Sequence, residues 1–365
     1  MVEKDSKFIF DSDVPNDSID IYGDLDIKIK KLKTENPKEF RIEIGGKNID
    51  NTVVNALRRT ILMNIPIYGF HRSNIFVEVD KSKNMYNNDL IYNQIETLPI
   101  FDVPNYFDLE NPETFLSTDV LKNLFGNFEQ EKYTEEKTNE EIISLDANKK
   151  LFKIELSINY KNNTGSDKFV STHDAVLKID GKNSNGYTIR DPICILVLKP
   201  GEEISLRAEA NLGTSSMHAS YEATTNAIHE EISPTKYILE YETLEQLDKN
   251  IIFTKACIIL IKKLEYLNKY IKKKFKDGKE KNYPEIIKIE LFGEDHTLGN
   301  LLTTALQKCE FVEKAGYIMK HPFINQITLE YKLINKSKIG PINVLIDCID
   351  YLVRIFKQIV QLASK

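Results

Sequence analysis

The six histidines are the first residues to test for metal binding or catalysis: His71, His173, His218, His229, His296 and His321. A helical zinc pair needs two histidines four positions apart, and this sequence contains no such pair. His218 and His229 are eleven positions apart in a loop-like segment, which is a weak signal. Asp295 and His296 are adjacent, so their side chains point in different directions. We therefore favour a role at a helix start over a catalytic dyad.

Other catalytic patterns are also missing. The sequence contains no Gly-x-x-x-x-Gly-Lys-Ser/Thr loop, no Gly-x-Gly-x-x-Gly and no Gly-x-Ser-x-Gly. A small-molecule enzyme built on His218, His229, Glu230 and Glu231 is the one catalytic hypothesis left, and we expect metal analysis and a hydrolase screen to be negative. The sequence predicts no catalytic residues of its own, no cofactor and no metal.

Composition bounds the remaining classes. The apolar fraction of 41% and charged fraction of 28% are ordinary for a globular protein, and the net charge of −6 does not favour free-standing nucleic-acid binding. No apolar run reaches the ~18 residues that span a bilayer. The cysteines form no Cys-x-x-Cys pair, which argues against a zinc site or a disulfide framework. Cys257 and Cys348 lie on apolar helical stripes, so we expect buried thiols.

A duplicated motif organises the chain. Residues 50–57 and 295–302 both follow Asp-x-Thr-apolar-x-Asn-x-Leu, offset by 245 positions (295 − 50). Asp and Thr at a helix start accept hydrogen bonds from the free N–H groups of the first turn. The motif positions predicted to begin and pack these helices are Asp50, Thr52, Leu57, Asp295, His296, Thr297, Leu298, Asn300 and Leu301.

The flanks of the two motifs also match. Alternating apolar residues precede each motif, and an apolar stripe at helical spacing follows it. A proline comes next, Pro66 or Pro322, and then a second strand-like run at 75–79 or 327–331. Each copy ends in a long amphipathic helix. The sequence predicts two copies of a strand, helix, strand and long helix.

Apolar residues at heptad spacing mark the two long helices, predicted over about 244–275 and from about 341. Leaving both seams exposed would create apolar patches larger than monomers usually tolerate. We expect the helices to pack on each other about a pseudo-twofold axis; alternatively, each covers only its own sheet. The predicted seam residues are Leu260, Leu264, Leu267, Ile271, Leu352, Ile355 and Ile359.

The resulting prediction is an α+β fold with a β-rich domain inserted in the first copy. The expected divisions are an acidic mobile arm at 1–24, a first dimerisation unit at 25–79 plus 235–275, an insert at 80–234, a linker at 276–283 and a second unit at 284–365. Arg58 and Arg59 lie beside the apolar stripe of the first motif helix, at its margin or on its outer face. Arginine pairs well with carboxylates of a partner, although a solvated charged face is the common alternative.

Several motifs resemble one family. Asn55-Ala-Leu-Arg-Arg59, the segments 92–100 and 198–208, and His218-Ala-Ser-Tyr221 resemble the assembly subunits of multisubunit RNA polymerases. These are the bacterial alpha subunit, the archaeal D subunit and the third-largest polymerase II subunit. Residues 294–302 with Lys320-His-Pro322 are similar to the smaller partner, the archaeal L or eleventh-largest polymerase II subunit. The two partners would here be fused, as in some large cytoplasmic DNA viruses.

The resemblance implies a non-catalytic platform that nucleates assembly of two large catalytic subunits. Asn55, Arg58 and Arg59 would face the second-largest subunit, and His218 and Tyr221 would also contact a partner. Small polymerase subunits are further candidate partners, and neither sequence-specific DNA contact nor membrane binding is expected. The site of action would be the host cytoplasm, viral factory or virion if viral, and the nucleus if cellular. The alternative is a free-standing protein-interaction module outside polymerase.

Overall fold

The computed structural model describes residues 7–9, 22–78, 88–103, 116, 118–125, 152–275, 282–321, 323–334 and 339–364. The helices are α1 (Asn51–Met63), α2 (Asn88–Glu96), α3 (Thr118–Phe125), α4 (Lys249–Lys274), α5 (His296–Gln307) and α6 (Pro341–Ala363). The strands are β1 (Lys7–Ile9), β2 (Lys28–Lys31), β3 (Glu39–Gly45), β4 (Ile67–Val77), β5 (Ile154–Lys161), β6 (Lys168–Ser171), β7 (Ala175–Ile179), β8 (Lys182–Asn183), β9 (Cys194–Leu198), β10 (Glu203–Gly213), β11 (Thr224–Ser233), β12 (Lys236–Thr243), β13 (Asn282–Pro284), β14 (Ile287–Phe292), β15 (Val312–Ile318) and β16 (Gln326–Leu333).

Two units with the same topology form the core of the molecule. The first repeat is β3-α1-β11-β12-α4, and the second repeat is β14-α5-β15-β16-α6. Their antiparallel sheets have the equivalent orders β11-β12-β3, extended by β2, and β15-β16-β14. The predicted α+β fold with a duplicated unit is confirmed. Each repeat contains one strand more than the sequence pattern indicated.

The motif helices begin where their side chains cap them. Asp50 accepts a hydrogen bond from the backbone N–H of Val53 over 3.0 Å, and Asp295 accepts one from that of Thr297 over 2.7 Å. Each cap satisfies an N–H group that the helix itself cannot. Leu57, Leu298 and Leu301 are buried, so the predicted apolar stripes face the core.

The long helices α4 and α6 pack against each other. All seven predicted seam residues are buried, with at most 4% of their surface exposed. Cys257 and Cys348 are buried free thiols, as the stripes predicted. Because the seams cover each other, the paired arrangement is confirmed over the alternative in which each helix covers only its own sheet. Within the described residues, no helix is both long and apolar enough to cross a membrane.

The boundaries of the insert need correction. The run at 75–79 was predicted as the second strand of the first repeat, but β4 pairs with β10 in the five-stranded sheet β4-β10-β5-β7-β8. Strand β11 was predicted in the insert over 80–234, but it pairs with β12 and packs on α1. Long-range pairing decides membership of a sheet, and alternation within one run cannot reveal the partner strand.

The segments predicted as an N-terminal arm and as a linker also differ from the prediction. Lys7–Ile9 pairs with Asn282–Pro284, and Tyr22 stacks on Tyr351 of α6 with ring centroids 4.0 Å apart. The mobile arm predicted over 1–24 is therefore wrong for these residues, as is the linker over 276–283 at its last two positions. Residues 1–6, 10–21 and 276–281, the acidic stretch 129–141 and Pro322 lie outside the described residues.

Candidate assembly surface between the two repeats

A cross-repeat contact joins the two motif helices. Arg59 of α1 donates from Nη2 to Oδ2 of Asp295 over 2.6 Å and from Nε to Oγ1 of Thr297 over 2.7 Å. The guanidinium thus binds both helix-start residues of the second motif. Its planar fork suits two simultaneous bonds. The sequence had placed Arg59 on a partner-binding face, whereas the structure gives it an internal contact.

The reverse contact comes from the second repeat. Lys308, which follows α5, donates from Nζ to Oδ2 of Asp50. Each motif aspartate therefore caps its own helix and pairs with a cation from the other repeat. The residue types differ, Arg59 in one direction and Lys308 in the other, but the arrangement is reciprocal. A reciprocal contact of this kind is the signature of an isologous interface.

These contacts shift the acidity of both aspartates. Burial alone would raise the pKa of Asp50, but hydrogen bonds from Lys308 and Thr52 outweigh it and hold the pKa below its usual value. Burial likewise acts to raise the pKa of Asp295, and the bonds from Thr297 and Arg59 lower it. Both carboxylates stay charged in the folded protein at neutral pH, as the two ion pairs require.

The long-helix seam carries polar contacts at its margins. Asn268 of α4 donates from Nδ2 to Oδ1 of Asp350 in α6 over 2.6 Å. Lys357 of α6 lies 3.2 Å from a carboxylate oxygen of Glu265 in α4. Directional bonds at defined positions fix the register of two apolar helices more strictly than burial alone, because burial is non-directional.

A buried ion pair closes one end of the joint. Lys263 of α4 lies 3.0 Å from Oε2 of Glu294, whose side chain is 1% exposed. Burial raises the pKa of the Glu294 carboxyl, and the Lys263 ammonium opposes that shift. The pair lines a cavity of about 670 Å³ between α1, α3, α4 and α5. Removing Lys263 would leave the buried Glu294 carboxylate without its counter-ion, which is strongly destabilising.

Arg58 of α1 makes a second group of contacts, with Asn55 and with β11. Arg58 donates from Nε to Oδ1 of Asn55 over 2.9 Å and from Nη1 to the carbonyl oxygen of Ala227 in β11 over 3.4 Å. Nearby, His229 bonds to the side chain of Asn51. Burial, and then the charge of Arg58, lowers the pKa of His229. Asn55 and Arg58 are half-buried, so part of each remains accessible.

The remaining predicted site residues lie apart from this surface. His218 precedes a short 3-10 turn, Ala219–Tyr221, that contacts β4, and Tyr221 is the last residue of that turn. His218 contacts His71 edge to face, whereas His229 bonds to α1, so the hypothesised histidine enzyme site has its two rings in different surroundings. His296 is exposed and bonds to Oη of Tyr317, and Asn300 is exposed.

Sequence reasoning missed Lys308, Asn268, Asp350 and the buried Glu294. Lys308 follows the helix end and belongs to no periodic pattern. Asn268 lies between Leu267 and Ile271 on a lysine-rich helix. Polar residues are common in such a helix, so its sequence did not single out Asn268. Glu294 lies directly beside the motif residue Asp295, and this position was the one available signal for it. The sequence does not show that Glu294 is buried.

Comparison with known proteins agrees with this architecture. The family model described as the RNA polymerase Rpb3/Rpb11 dimerisation domain matches residues 44–264, and a second model with that description matches residues 286–361. The chain is 56% identical to a putative DNA-directed RNA polymerase subunit of Acanthamoeba polyphaga mimivirus over 349 residues, which covers 96% of this chain and 97% of that protein. It is 38% identical to RNA polymerase subunit Rpo11 of Saccharolobus islandicus over 71 residues, covering 20% of this chain and 72% of that protein.

The chain belongs to the RNA polymerase Rpb3/Rpb11 dimerisation-domain family and carries two such domains in tandem. It is a fused alpha-like assembly subunit of a DNA-directed RNA polymerase, of the type found in a large DNA virus, and is a non-catalytic subunit of that enzyme. The resemblance drawn from the sequence motifs is confirmed.

Proposed function

We propose that the joined repeats form one platform on which the two large catalytic polymerase subunits assemble. The observation that carries the proposal is the reciprocal joint, in which Arg59 and Lys308 each bind the motif aspartate of the other repeat. An interface that is closed within one chain needs no second copy to complete it. Its outer faces are therefore left for larger partners.

The outer face of α1 is the contact proposed for the second-largest subunit. Asn55 orients Arg58, and the pair is only half-buried, so a guanidinium is held in place at the surface. A fixed arginine beside a helix favours bidentate pairing with a partner carboxylate. Arg59 contributes to this face indirectly, by holding α1 against α5. His218, half-buried at the edge of β4, is a second proposed partner contact, and the buried Tyr221 supports it from beneath.

Arg58→Glu tests the assignment. The tagged chain is co-expressed with the two large polymerase subunits of its source, and the captured subunits are quantified. Reversing the charge places two negative groups together, so we expect at least about a tenfold loss of the second-largest subunit. Circular dichroism should show an unchanged fold. Arg207→Glu, on the exposed face of the insert sheet, is the matched control and should retain both subunits.

If Arg58→Glu captured the second-largest subunit as well as the unmodified chain does, the proposed contact through α1 would be wrong. Failure of the unmodified chain to capture either large subunit would instead overturn the proposed platform. Small polymerase subunits would be identified among the co-purifying proteins of the same experiment. If the source is viral, we propose that the assembly acts in the host cytoplasm, in a viral factory or in the virion.

A further inference from the structure

Three side chains from distant segments meet beside the insert sheet. His71 lies on β4, Glu96 is the last residue of α2, and His218 precedes the 3-10 turn Ala219–Tyr221. One ring nitrogen of each histidine and one carboxylate oxygen lie within 4.8 Å of one another. The two rings meet edge to face with centroids 4.9 Å apart. All three side chains are half-buried, so the cluster is open on one side.

Each histidine is oriented by a serine two positions later. Nδ1 of His71 lies 2.8 Å from Oγ of Ser73, and Nδ1 of His218 lies 3.0 Å from Oγ of Ser220. The backbone N–H of the same serine also donates to Nδ1, over 3.3 Å at His71 and 3.2 Å at His218. A metal ion bound at Nε2 would place the ring proton on Nδ1 and exchange this N–H bond for one to the serine hydroxyl. Within the part of the chain that the structure describes, no hydrogen bond is made by either Nε2 atom.

Glu96 is held in place by Arg72, the residue between His71 and Ser73. The backbone N–H of Arg72 donates to Oε1 of Glu96 over 2.9 Å. The side chain of Arg72 pairs with Asp89 and stacks over Tyr92, at the start and middle of α2. Arg72 therefore fixes the whole helix against β4 and presents Glu96 to the two rings. Hydrogen bonds of this type orient carboxylate ligands in metal sites.

Two glycines allow the turn that carries His218 to approach the sheet. A β-carbon at Gly69 would lie 2.4 Å from the carbonyl oxygen of Ser220, and one at Gly213 would lie 2.6 Å from the ring of Tyr221. Neither distance is compatible with a side chain larger than glycine. The buried ring of Tyr221 fills this space and anchors the turn, which brings His218 against His71.

We propose that His71, Glu96 and His218 bind one divalent transition-metal ion, with zinc as the ion that fits best. Two imidazoles and one carboxylate form a recognised zinc ligand set when a fourth position is left to water. Metal–ligand distances of about 2.0–2.2 Å in a tetrahedral site put ligand atoms roughly 3.3 Å apart, so small side-chain rotations suffice. Zinc also exceeds iron in intrinsic affinity for nitrogen and oxygen ligands. The bound ion would link β4, α2 and the turn.

Zinc retention by the purified full-length chain tests the proposal. The protein is stripped with chelator, equilibrated with buffered Zn²⁺, separated from free metal and analysed for bound zinc. We expect one zinc ion per chain, and loss of that ion in both His71→Ala and His218→Ala. His321→Ala, an exposed histidine outside the cluster, is the matched control and should retain the metal. Circular dichroism of each variant checks the fold.

Cobalt substitution provides a second readout, which reports the ligands and geometry of the bound ion. Co²⁺ bound by two imidazoles and a carboxylate in a four-coordinate site gives intense visible absorption, and Glu96→Gln should weaken or shift it. No stoichiometric zinc in the unmodified chain would overturn the proposal. Zinc retained equally by His71→Ala and His218→Ala would overturn it as well.

Discussion

Arg59 and Asp295, which lie 236 positions apart in the chain, join the two motif helices. The contact does two things at once, because Asp295 also caps α5 through the N–H of Thr297. Loss of the guanidinium would leave the cap in place but uncouple the repeats. The side chains are 28% and 38% exposed, so solvent screens the pair and its contribution is moderate.

A double-mutant cycle measures that contribution. Arg59→Gln and Asp295→Asn, alone and together, should show a coupling free energy of unfolding of about 1 kcal/mol in chemical denaturation. Asparagine keeps the helix cap, so the cycle isolates the charge contact. The same cycle on Arg41 and Glu240, a surface pair within one sheet, is the control and should give less than about 0.5 kcal/mol.

The coupling should also depend on pH. The pKa of Asp295 is lowered below 3.8 in the folded protein, so the stabilisation is present at higher pH and is lost as pH falls through the lowered value. Equal coupling in the two cycles at neutral pH would show that the cross-repeat pair has no special role in the joint.

At Gly299, helix α5 lies very close to Tyr317, and a single substitution tests this contact. A β-carbon there would lie 2.6 Å from the ring of Tyr317 on β15. Although alanine favours a helix by about 1 kcal/mol over glycine, we expect Gly299→Ala to lower the unfolding free energy by about 1–3 kcal/mol through overpacking. Thermal and chemical denaturation measure the change.

Gly316→Ala is the control for that substitution. Gly316 lies on the same strand as Tyr317, but its β-carbon would meet nothing within 4 Å. We expect this variant to stay within about 0.5 kcal/mol of the unmodified protein. If Gly299→Ala proved as stable as Gly316→Ala, the packing of α5 on β15 would be looser than described.

At the scale of elements, α4 and α6 form the larger part of the joint between the repeats. Their buried seams come from heptad spacing in both helices, and Asn268 with Asp350 fixes one register. Tyr22 and Gly23 add a strap across α6, because Tyr22 stacks on Tyr351 and the Gly23 carbonyl accepts a bond from Arg354. The two repeats therefore share one continuous core.

Truncating the seam should destabilise the whole chain. Leu264→Ala and Leu352→Ala remove fully buried side chains, and each should lower the unfolding free energy by about 2–5 kcal/mol. Leu90→Ala, an exposed leucine on α2, should change it by less than about 0.5 kcal/mol. A seam variant as stable as Leu90→Ala would mean that α4 and α6 do not stabilise the joint.

The elements differ in how well the sequence predicts them. The motif helices and heptad seams follow from residues a few positions apart, so periodicity predicted them correctly. The roles of β4 and β11 were wrong, because Ile75 finds its partner Ala208 far along the chain. A run of alternating residues specifies a strand and its buried face, but its neighbour is chosen by tertiary contacts.

At the scale of the whole molecule, the same distinction applies to the sites. Asp50 and Asp295 were predicted from the duplicated motif, and the seam leucines were predicted from heptad spacing. Lys308 was not predicted, since it belongs to no repeated motif or periodic pattern. The sequence expectation of no metal rested on spacing alone. His71, Glu96 and His218 are separated by 25 and 122 positions (96 − 71 and 218 − 96), which no spacing rule connects. Only the fold brings such residues together.

Cleavage between the repeats tests most directly whether the chain is a heterodimer built into one polypeptide. A specific protease site is placed between residues 276 and 281, the full-length protein is cut, and the product is examined by gel filtration with light scattering. We expect the two pieces to elute together as one complex, and to separate when Leu264→Asp and Ile355→Asp are introduced. Cut pieces of the otherwise unmodified chain that elute separately, each still folded, would contradict the account.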